Sequence, residues 1–317
     1  MGFKKFPYPG APVSCGYRFS RYDGYGMGDR RAARLPELVF IRKVPAGAGF
    51  CQEFPDEIGI RLITWRDGMP GLFIGCSGFT YSHWRGRFYP EKLPRARWFE
   101  YYCSVFTSVE LNVTFYRLLK PETFDGWREK SPPGFSFSVK GSRFITHVKR
   151  LIDPEESLER FFDGALRLGD KLSAVLWQFP PGFSRDTARL ERFIAALEPY
   201  RARNALEFRD ESWCDGEISD LCRAAGIALC MADWPDYIDK LPLTADFVYI
   251  RRHGPGGGYY GSYSSAELIS DARRIRGYLE EGLDVHIYFN NDDRAFATEN
   301  ARELMGLLGV GSGGDGP

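Results

Sequence analysis

The stretch VELNVTFYR, Val109 to Arg117, decides how this chain is read. Side chains alternate faces along a β-strand. Val109, Leu111, Val113 and Phe115 then share one apolar face, while Glu110, Asn112, Thr114 and Tyr116 share the other. A carboxylate and an amide thus stand among β-branched and aromatic residues, far from any turn signal. Working outward, similar short apolar runs mark candidate strands at 72–75, 108–115, 135–140, 174–179, 204–208, 228–231, 247–251 and 285–289. Helical periodicity falls between most of them, at 97–106, 121–130, 157–168, 186–197, 216–225 and 265–281, and again at 297–308. Asp153-Pro154 and Ser264/Ser265 with Glu267 read as helix starts, and Gly226 and Gly282 as stops.

Eight strands alternating with helices over about 240 residues predict an α/β protein with a parallel sheet, and the number eight predicts a closed (β/α)8 TIM-like barrel. The connection DWPDYIDKLPLTAD has no room for a full helix, so a doubly wound open sheet is the alternative. Residues 1–68 differ from the rest. They are rich in Gly, Pro, Tyr and Arg, lack either periodicity, and read as an irregular or disordered N-terminal extension. Met69, directly before a buried-strand pattern, is a candidate translation start for a single barrel domain over 69–317 that ends in a short Gly-rich tail.

Composition narrows the function classes. The 317 residues carry 42 Lys and Arg against 42 Asp and Glu, so the basic excess of a duplex-coating protein is missing. The seven cysteines include no CxxC pair, which fits reduced structural thiols in a cytoplasmic protein. No stretch approaches the ~18 apolar residues of a membrane span. No obligate protein partner is evident.

In a barrel the interior faces of the strands carry the active groups, gathered at their C-terminal ends. Read this way, the second strand offers Glu110 and Asn112. The third offers Lys140, with His147 in its loop; the fourth offers Gln178, the fifth Glu207 and Arg209, and the sixth Asp233. The seventh offers Tyr249, Arg251 and His253, and the eighth offers His286, Tyr288 and Asn290, followed by Asn291. The first loop adds His83 and Arg87. Leaving such groups in an interior without partners costs several kcal/mol each, so they satisfy one another or a ligand.

The segments IGCSGFTYSHWRGRFYP, ELNVTFYR, VKGSRFITH, LWQFPP, EFRDESW, YIRRHG and YFNND occur in the order found in the YecE-like family, domain of unknown function 72. The resemblance covers about residues 71–309. It implies a TIM-like barrel, distantly similar to the sugar isomerase and endonuclease IV barrels, and implies no established activity. Residues 1–70 lie outside it. Where family members often carry Thr-Ser-Gly-Trp, this chain has Cys76-Ser77-Gly78-Phe79, so no role is carried over to positions 76 and 79.

Several chemistries can be weighed. Four histidines in all argue against a trinuclear zinc site. They leave room for one divalent ion held by Glu110, Glu207, Asp233 and a His. A glycosidase pair of Glu110 and Glu207 is disfavoured, because the large barrel glycosidase group draws its carboxylates from strands four and seven, which here end in Gln178 and in Arg251 and His253. Lys140, Arg209, Arg251 and Arg87 instead suggest a small anionic substrate bearing phosphate or carboxylate. In that reading the Arg residues clamp it, Glu110 or Glu207 is the general base, and Lys140 or His253 the acid. Asn112, Gln178, Asn290 and Asn291 orient its neutral polar groups, and Tyr288 and Trp84 stack on a ring. The rival is a non-catalytic protein holding a nucleotide or a single-stranded nucleic-acid fragment at the same mouth. His253–Tyr263 is a Gly-rich loop but no P-loop, and no dinucleotide fingerprint is present.

Overall fold

The computed structural model of the protein describes residues 70–234, 237, 238 and 240–310. The expectations for the N-terminal extension, for Met69 and for the C-terminal tail lie outside the described residues.

Among the described residues nine strand segments, all paired in parallel, form the wall: β1 (Leu72–Cys76), β2 (Ser108–Leu111), β3 (Ser136–Lys140), β4 (Leu172–Gln178), β5 (Asn204–Glu207), β6 (Ala228–Leu229), β7 (Met231–Ala232), β8 (Phe247–Arg252) and β9 (Asp284–Phe289). One sheet runs β2-β3-β4-β5-β6 and the other β1-β9-β8-β7. Two junctions join them. β6 and β7 flank Cys230 as halves of one strand, the first paired with β5 and the second with β8; the Cys230 N–H donates to Leu206 O (2.8 Å). At the other junction Ser77 bridges to Glu110 in parallel. There Tyr102 completes the seam, its hydroxyl accepting from the Cys76 N–H (2.8 Å) and donating to Ser108 O (3.0 Å). The eight-stranded ring is closed, which excludes the open doubly wound sheet.

The helices are α1 (Trp98–Val105), α2 (Val113–Tyr116), α3 (Pro121–Lys130), α4 (Glu155–Ala165), α5 (Thr187–Leu197), α6 (Gly216–Ala224), α7 (Ser265–Glu280) and α8 (Phe296–Leu308). Outward strand residues such as Val109, Val175, Leu206, Ile250 and Ile287 pack with helix residues such as Phe162, Leu190, Ile218 and Leu304 in one apolar layer. A second, smaller cluster fills the barrel. In it Ala174, Ala205, Ala228, Cys230 and Ala232, from β4 to β7 and the residue joining the last two, face Phe247, Tyr249 and Tyr288 from β8 and β9. Apart from Leu176 on β4, small side chains on that half of the wall leave the volume that large ones on the other half occupy.

The opening stretch is only partly a strand. β2 stops at Leu111, Asn112 turns helical (φ −86°, ψ −17°), and residues 113–116 are the helical turn α2. The chain must leave the sheet here to reach its crossover helix, and Thr114 Oγ1 sits within hydrogen-bond reach of Leu111 O (2.8 Å) and Lys140 O (2.6 Å). Tertiary demand overrides the β-preference of Val113 and Thr114. Tyr116 consequently points to solvent. Asp153 does not cap α4: it is left-handed (φ +39°), and Pro154 precedes the helix with no side-chain cap. Ser264 and Glu267 do form a capping box on α7. Among the described residues of the β7–β8 connection there is no helix.

Gly75 lies in β1 beside the Tyr102 seam, where a Cβ would stand 2.1 Å from Ser108 O. The Gly75→Ala substitution is expected to lower the unfolding free energy by about 1–3 kcal/mol, the usual cost of overpacking. Urea denaturation measures it, and an unchanged midpoint would show that β1 and β2 need no such close approach.

Candidate active site

β8 turns Tyr249 and Arg251 into the barrel, and His253 follows at its end. Arg251 is fully buried. Its Nε (3.0 Å) and Nη2 (2.7 Å) donate to the two oxygens of Glu110 on β2, and its Nη1 donates to Glu207 Oε2 on β5 (2.7 Å). Nη1 also meets His253 Nε2 (3.0 Å), and Nη2 reaches Ser77 Oγ (3.4 Å). All five guanidinium N–H groups therefore have acceptors. Glu110 accepts in addition from Ser77 Oγ (2.7 Å) and the Tyr249 hydroxyl (2.8 Å). Burial pushes the Glu110 and Glu207 carboxyls up, but the guanidinium charges outweigh it, and both are held below the usual carboxylate range.

A second guanidinium completes the other side. Arg209 pairs with Glu207 and donates to the Trp234 carbonyl. Its Cζ lies 4.3 Å from the centroid of the Trp234 ring. Its Nη2 is 2.9 Å from His253 Nε2. Facing two guanidiniums, Nε2 accepts; Nδ1 therefore carries the proton and donates to Asp233 Oδ1 (3.2 Å). Burial and the Arg251 charge push the imidazole down to about 4, against the raising effect of Asp233. Asp233 also accepts from the His253 N–H (2.7 Å) and the Tyr263 hydroxyl.

Lys140, the last residue of β3, is different. Its Nζ donates to Gln178 Oε1 at the end of β4 (2.7 Å) and lies 4.2 Å from the Phe115 ring centroid. Among the described residues no carboxylate comes within ion-pair distance of it. It is 7% exposed. Burial, reinforced by the Arg251 charge, lowers its pKa to about 7 although Glu207 and Glu110 pull the other way.

Glu110, Lys140, Gln178, Glu207, Arg209, Asp233, Arg251 and His253 are thus brought together. His147 is at the edge, its ring 5.0 Å from Phe115 and its Nδ1 2.8 Å from Thr146 Oγ1; burial and the Lys140 charge lower it to about 4. Asn112 donates to Ser77 O (3.1 Å), and its buried Oδ1 has no partner among the described residues. Other expected ligand contacts are corrected. Arg251 is saturated by protein acceptors and Arg209 is tied to Glu207, His253 and Trp234, so neither is a free clamp. Tyr288 lies in the inner core, its hydroxyl 2.7 Å from Ser108 Oγ and 2.9 Å from Ser138 Oγ, and Trp84 is equally buried; neither has a face open to a ring. Asn291 is buried too, its amide holding Gly261 O (2.8 Å) and Asn300 Oδ1 (2.9 Å). The backbone N–H of Asn290 donates to Arg252 O. Exposed His83 meets Asp292 O (2.7 Å), and Arg87 reaches Arg294 O (3.3 Å), which ties the first loop to the last. His286 stacks on Phe73 (4.3 Å) deep in the barrel.

Glu110 turns both oxygens onto Arg251, and Glu207 divides its two between Arg251 and Arg209, so the donors expected for one divalent ion do not fit it. No group of three or more His, Cys, Asp or Glu among the described residues is arranged to hold a metal. Residue reading had not singled out Ser77 and Tyr263 as partners. Tyr249 stood two positions before Arg251 on the same face, which is the signal for its contact with Glu110.

A closed parallel barrel with an ionised network at the C-terminal ends of its strands is the class defined here. The chain belongs to the family described as protein of unknown function DUF72, which matches residues 73–314. It is similar to the UPF0759 protein YunF of Bacillus subtilis (strain 168), at 26% identity over 281 residues, 78% of this chain and 98% of that one. Among solved structures it is similar to a DUF72 family protein (TM1631) from Thermotoga maritima MSB8, with 30% identity, a TM-score of 0.66, and coverage of 75% of this chain and 99% of that chain. A DUF72 family protein (EF0366) from Enterococcus faecalis V583 shares the fold at 20% identity and a TM-score of 0.62, over 76% and 99% of the two chains. Among the described residues no helix is long and apolar enough to cross a membrane.

Removing one member of a buried ion network leaves its partner's charge uncompensated, so Arg251→Met is expected to cost about 3–5 kcal/mol of stability in urea unfolding. Stability should also depend on pH. The lowered carboxylates contribute above their ordinary pKa of about 4.3 and lose that contribution as pH falls. His253, near 4 when folded and about 6.5 when unfolded, makes the unfolded chain the stronger proton binder between those values. Below the separate decline that Lys140 causes between about pH 10.5 and 7, unfolding free energy should therefore fall again from near pH 6.5 downward; a plateau from pH 6.5 to 5 would contradict a neutral, pinned imidazole.

Proposed function

We propose that this protein is an enzyme acting on a small substrate bearing phosphate or carboxylate, bound at the C-terminal mouth of the barrel, with Lys140 as the group that holds the anion and transfers the proton. The observation that carries the reading is the charge pattern. Glu110, Glu207 and Asp233 are matched by Arg251, Arg209 and Arg252, while Lys140 is a nearly buried amine with a neutral amide as its hydrogen-bond partner. An unmatched ammonium attracts an anion, and a pKa near 7 lets the same nitrogen give or take a proton at neutral pH. Glu110, Glu207, Arg209, Arg251 and His253 are then positioning residues that set the field around Lys140. Gln178 orients the amine, and the unpartnered Asn112 Oδ1 is an acceptor for a substrate hydroxyl or amide.

Sulfate, whose charge is constant at neutral pH, is the probe. Calorimetric affinity for sulfate should weaken about tenfold per unit above pH 7, as the amine loses its proton, and Lys140→Met should abolish it. In a screen of phosphate- and carboxylate-bearing substrates, any turnover found should fall about 10²- to 10⁴-fold in Lys140→Met. Sulfate binding that survives this substitution would overturn the reading.

A further inference from the structure

A cleft of about 320 Å³ opens between the loop after β2 and the loop after β3, and its lining includes Tyr116, Arg117, Arg143, Phe144 and Arg160. Three guanidiniums line it and no carboxylate does. Arg160 pairs with Glu156, but Arg117 and Arg143 make no ion pair among the described residues. The cleft is also unusually apolar for a surface. Tyr116 is 77% exposed and Phe144 52%. Leu118, Val148 and Ile152, from the same two loops, are exposed as well. Of the nine large apolar side chains exposed among the described residues, eight lie on the loops after β2, β3, β7 and β8; only Leu166 does not. Isolated exposed apolar groups need no explanation, but a cluster confined to one rim does.

The backbone beneath is equally specialised. Residues Phe144–Val148 form a π-helical turn, and Arg150, Leu151 and Asp153 follow with φ of +47°, +65° and +39°, conformations that side chains other than glycine rarely adopt. A fold keeps such geometry where the surroundings over-determine it, commonly at ligand sites.

We propose that this cleft binds the unpaired nucleotides of single-stranded nucleic acid. Tyr116 and Phe144 offer faces on which bases stack, and Arg117 and Arg143 offer forks for the phosphates on either side. The paired combination of exposed ring and unpaired guanidinium matches a ligand that is aromatic and anionic at once, repeated at short intervals. A duplex does not fit, because its bases present no free faces. Trp234, Tyr259 and Tyr260, exposed on the loops after β7 and β8, extend the same surface chemistry to other parts of the rim. The site does not depend on the chemistry proposed for Lys140.

The test is fluorescence anisotropy of the full chain with a labelled oligothymidylate of about 12 nucleotides, close to the span of one single-strand site. Binding is expected, with the duplex of the same length bound more weakly. Each of Tyr116→Ala and Phe144→Ala should weaken it about 5- to 150-fold, the loss that follows from removing one stacked base. Arg117→Ala with Arg143→Ala should lower the log–log salt slope by about 1.4, or 0.7 per lost phosphate contact. All four side chains are on loops outside the core, and the sulfate binding tied to Lys140 should persist in the Tyr116 and Phe144 variants, so the two readings fail separately. Oligonucleotide binding that is absent, or indifferent to these substitutions, overturns the proposal. So does tighter binding of anionic phosphatidylglycerol vesicles or of polyglutamate to the same residues.

Discussion

One buried guanidinium holds separate strands of this barrel to one another. Arg251 on β8 is hydrogen-bonded at once to Glu110 on β2 and Glu207 on β5, so a single side chain ties three separated strands. Taking these ions out of water costs several kcal/mol each, and their mutual attraction only roughly offsets it. The value of the arrangement is therefore in specification. A one-residue slip of β2 or β8 would place Glu110 or Arg251 in the apolar layer among the helices, with no counter-charge there. The network thus adds a charge penalty to the register that the packed apolar faces already favour.

The same network sets the electrostatics of the mouth. With Asp271 paired to Arg252 and Arg274, four carboxylates are set against four guanidiniums. Each Glu oxygen that could act on a substrate already faces an Arg, and the His253 nitrogen that could take a proton is occupied by two. Lys140 has no such counter-charge: it is held by an amide and an aromatic ring, neither of which stabilises an ammonium as a carboxylate would. The interior therefore leaves one amine without a paired carboxylate, while the carboxylates around it each face a guanidinium.

How far the sequence foretold this follows from the physics of each element. Period-two alternation in β2, β8 and β9 placed Glu110, Arg251 and Tyr288 inside, because strand geometry has no freedom in that respect. The end of β2 was misread since Val113 and Thr114 favour strand, and nothing local signals that the chain must turn toward its crossover helix. Partner choice was also illegible. Alternation puts Arg251 at the mouth but cannot tell whether its donors face Glu110 and Glu207 or solvent, and that difference converts a substrate clamp into a structural keystone. The burial of Tyr288 is illegible for a related reason: depth along a barrel axis depends on stagger between strands, which a single strand's pattern does not contain. Trp84 lies in the first loop, and its burial comes from packing on Tyr81, Phe88 and Tyr89, which loop sequence does not disclose.

The division between interior and rim has a consequence for how such a barrel can acquire function. The interior is over-determined, since Ser77, Tyr249, Arg209, His253 and Asp233 each satisfy a neighbour, and a change at one leaves another unpaired. The rim surface is freer. Its exposed rings, Tyr116 and Phe144 among them, answer to no packing demand that the wall imposes, although Ile145, Thr146 and Leu151 beneath them are buried. Loops carried on a rigid scaffold are where recognition is built, because they can vary without disturbing the core. Phe115 is where the two regimes touch: it lies against the Lys140 amine and also lines the cleft between the β2 and β3 loops. One ring thus belongs to both, so a change at Phe115 would alter the support of the Lys140 amine and the wall of the cleft together.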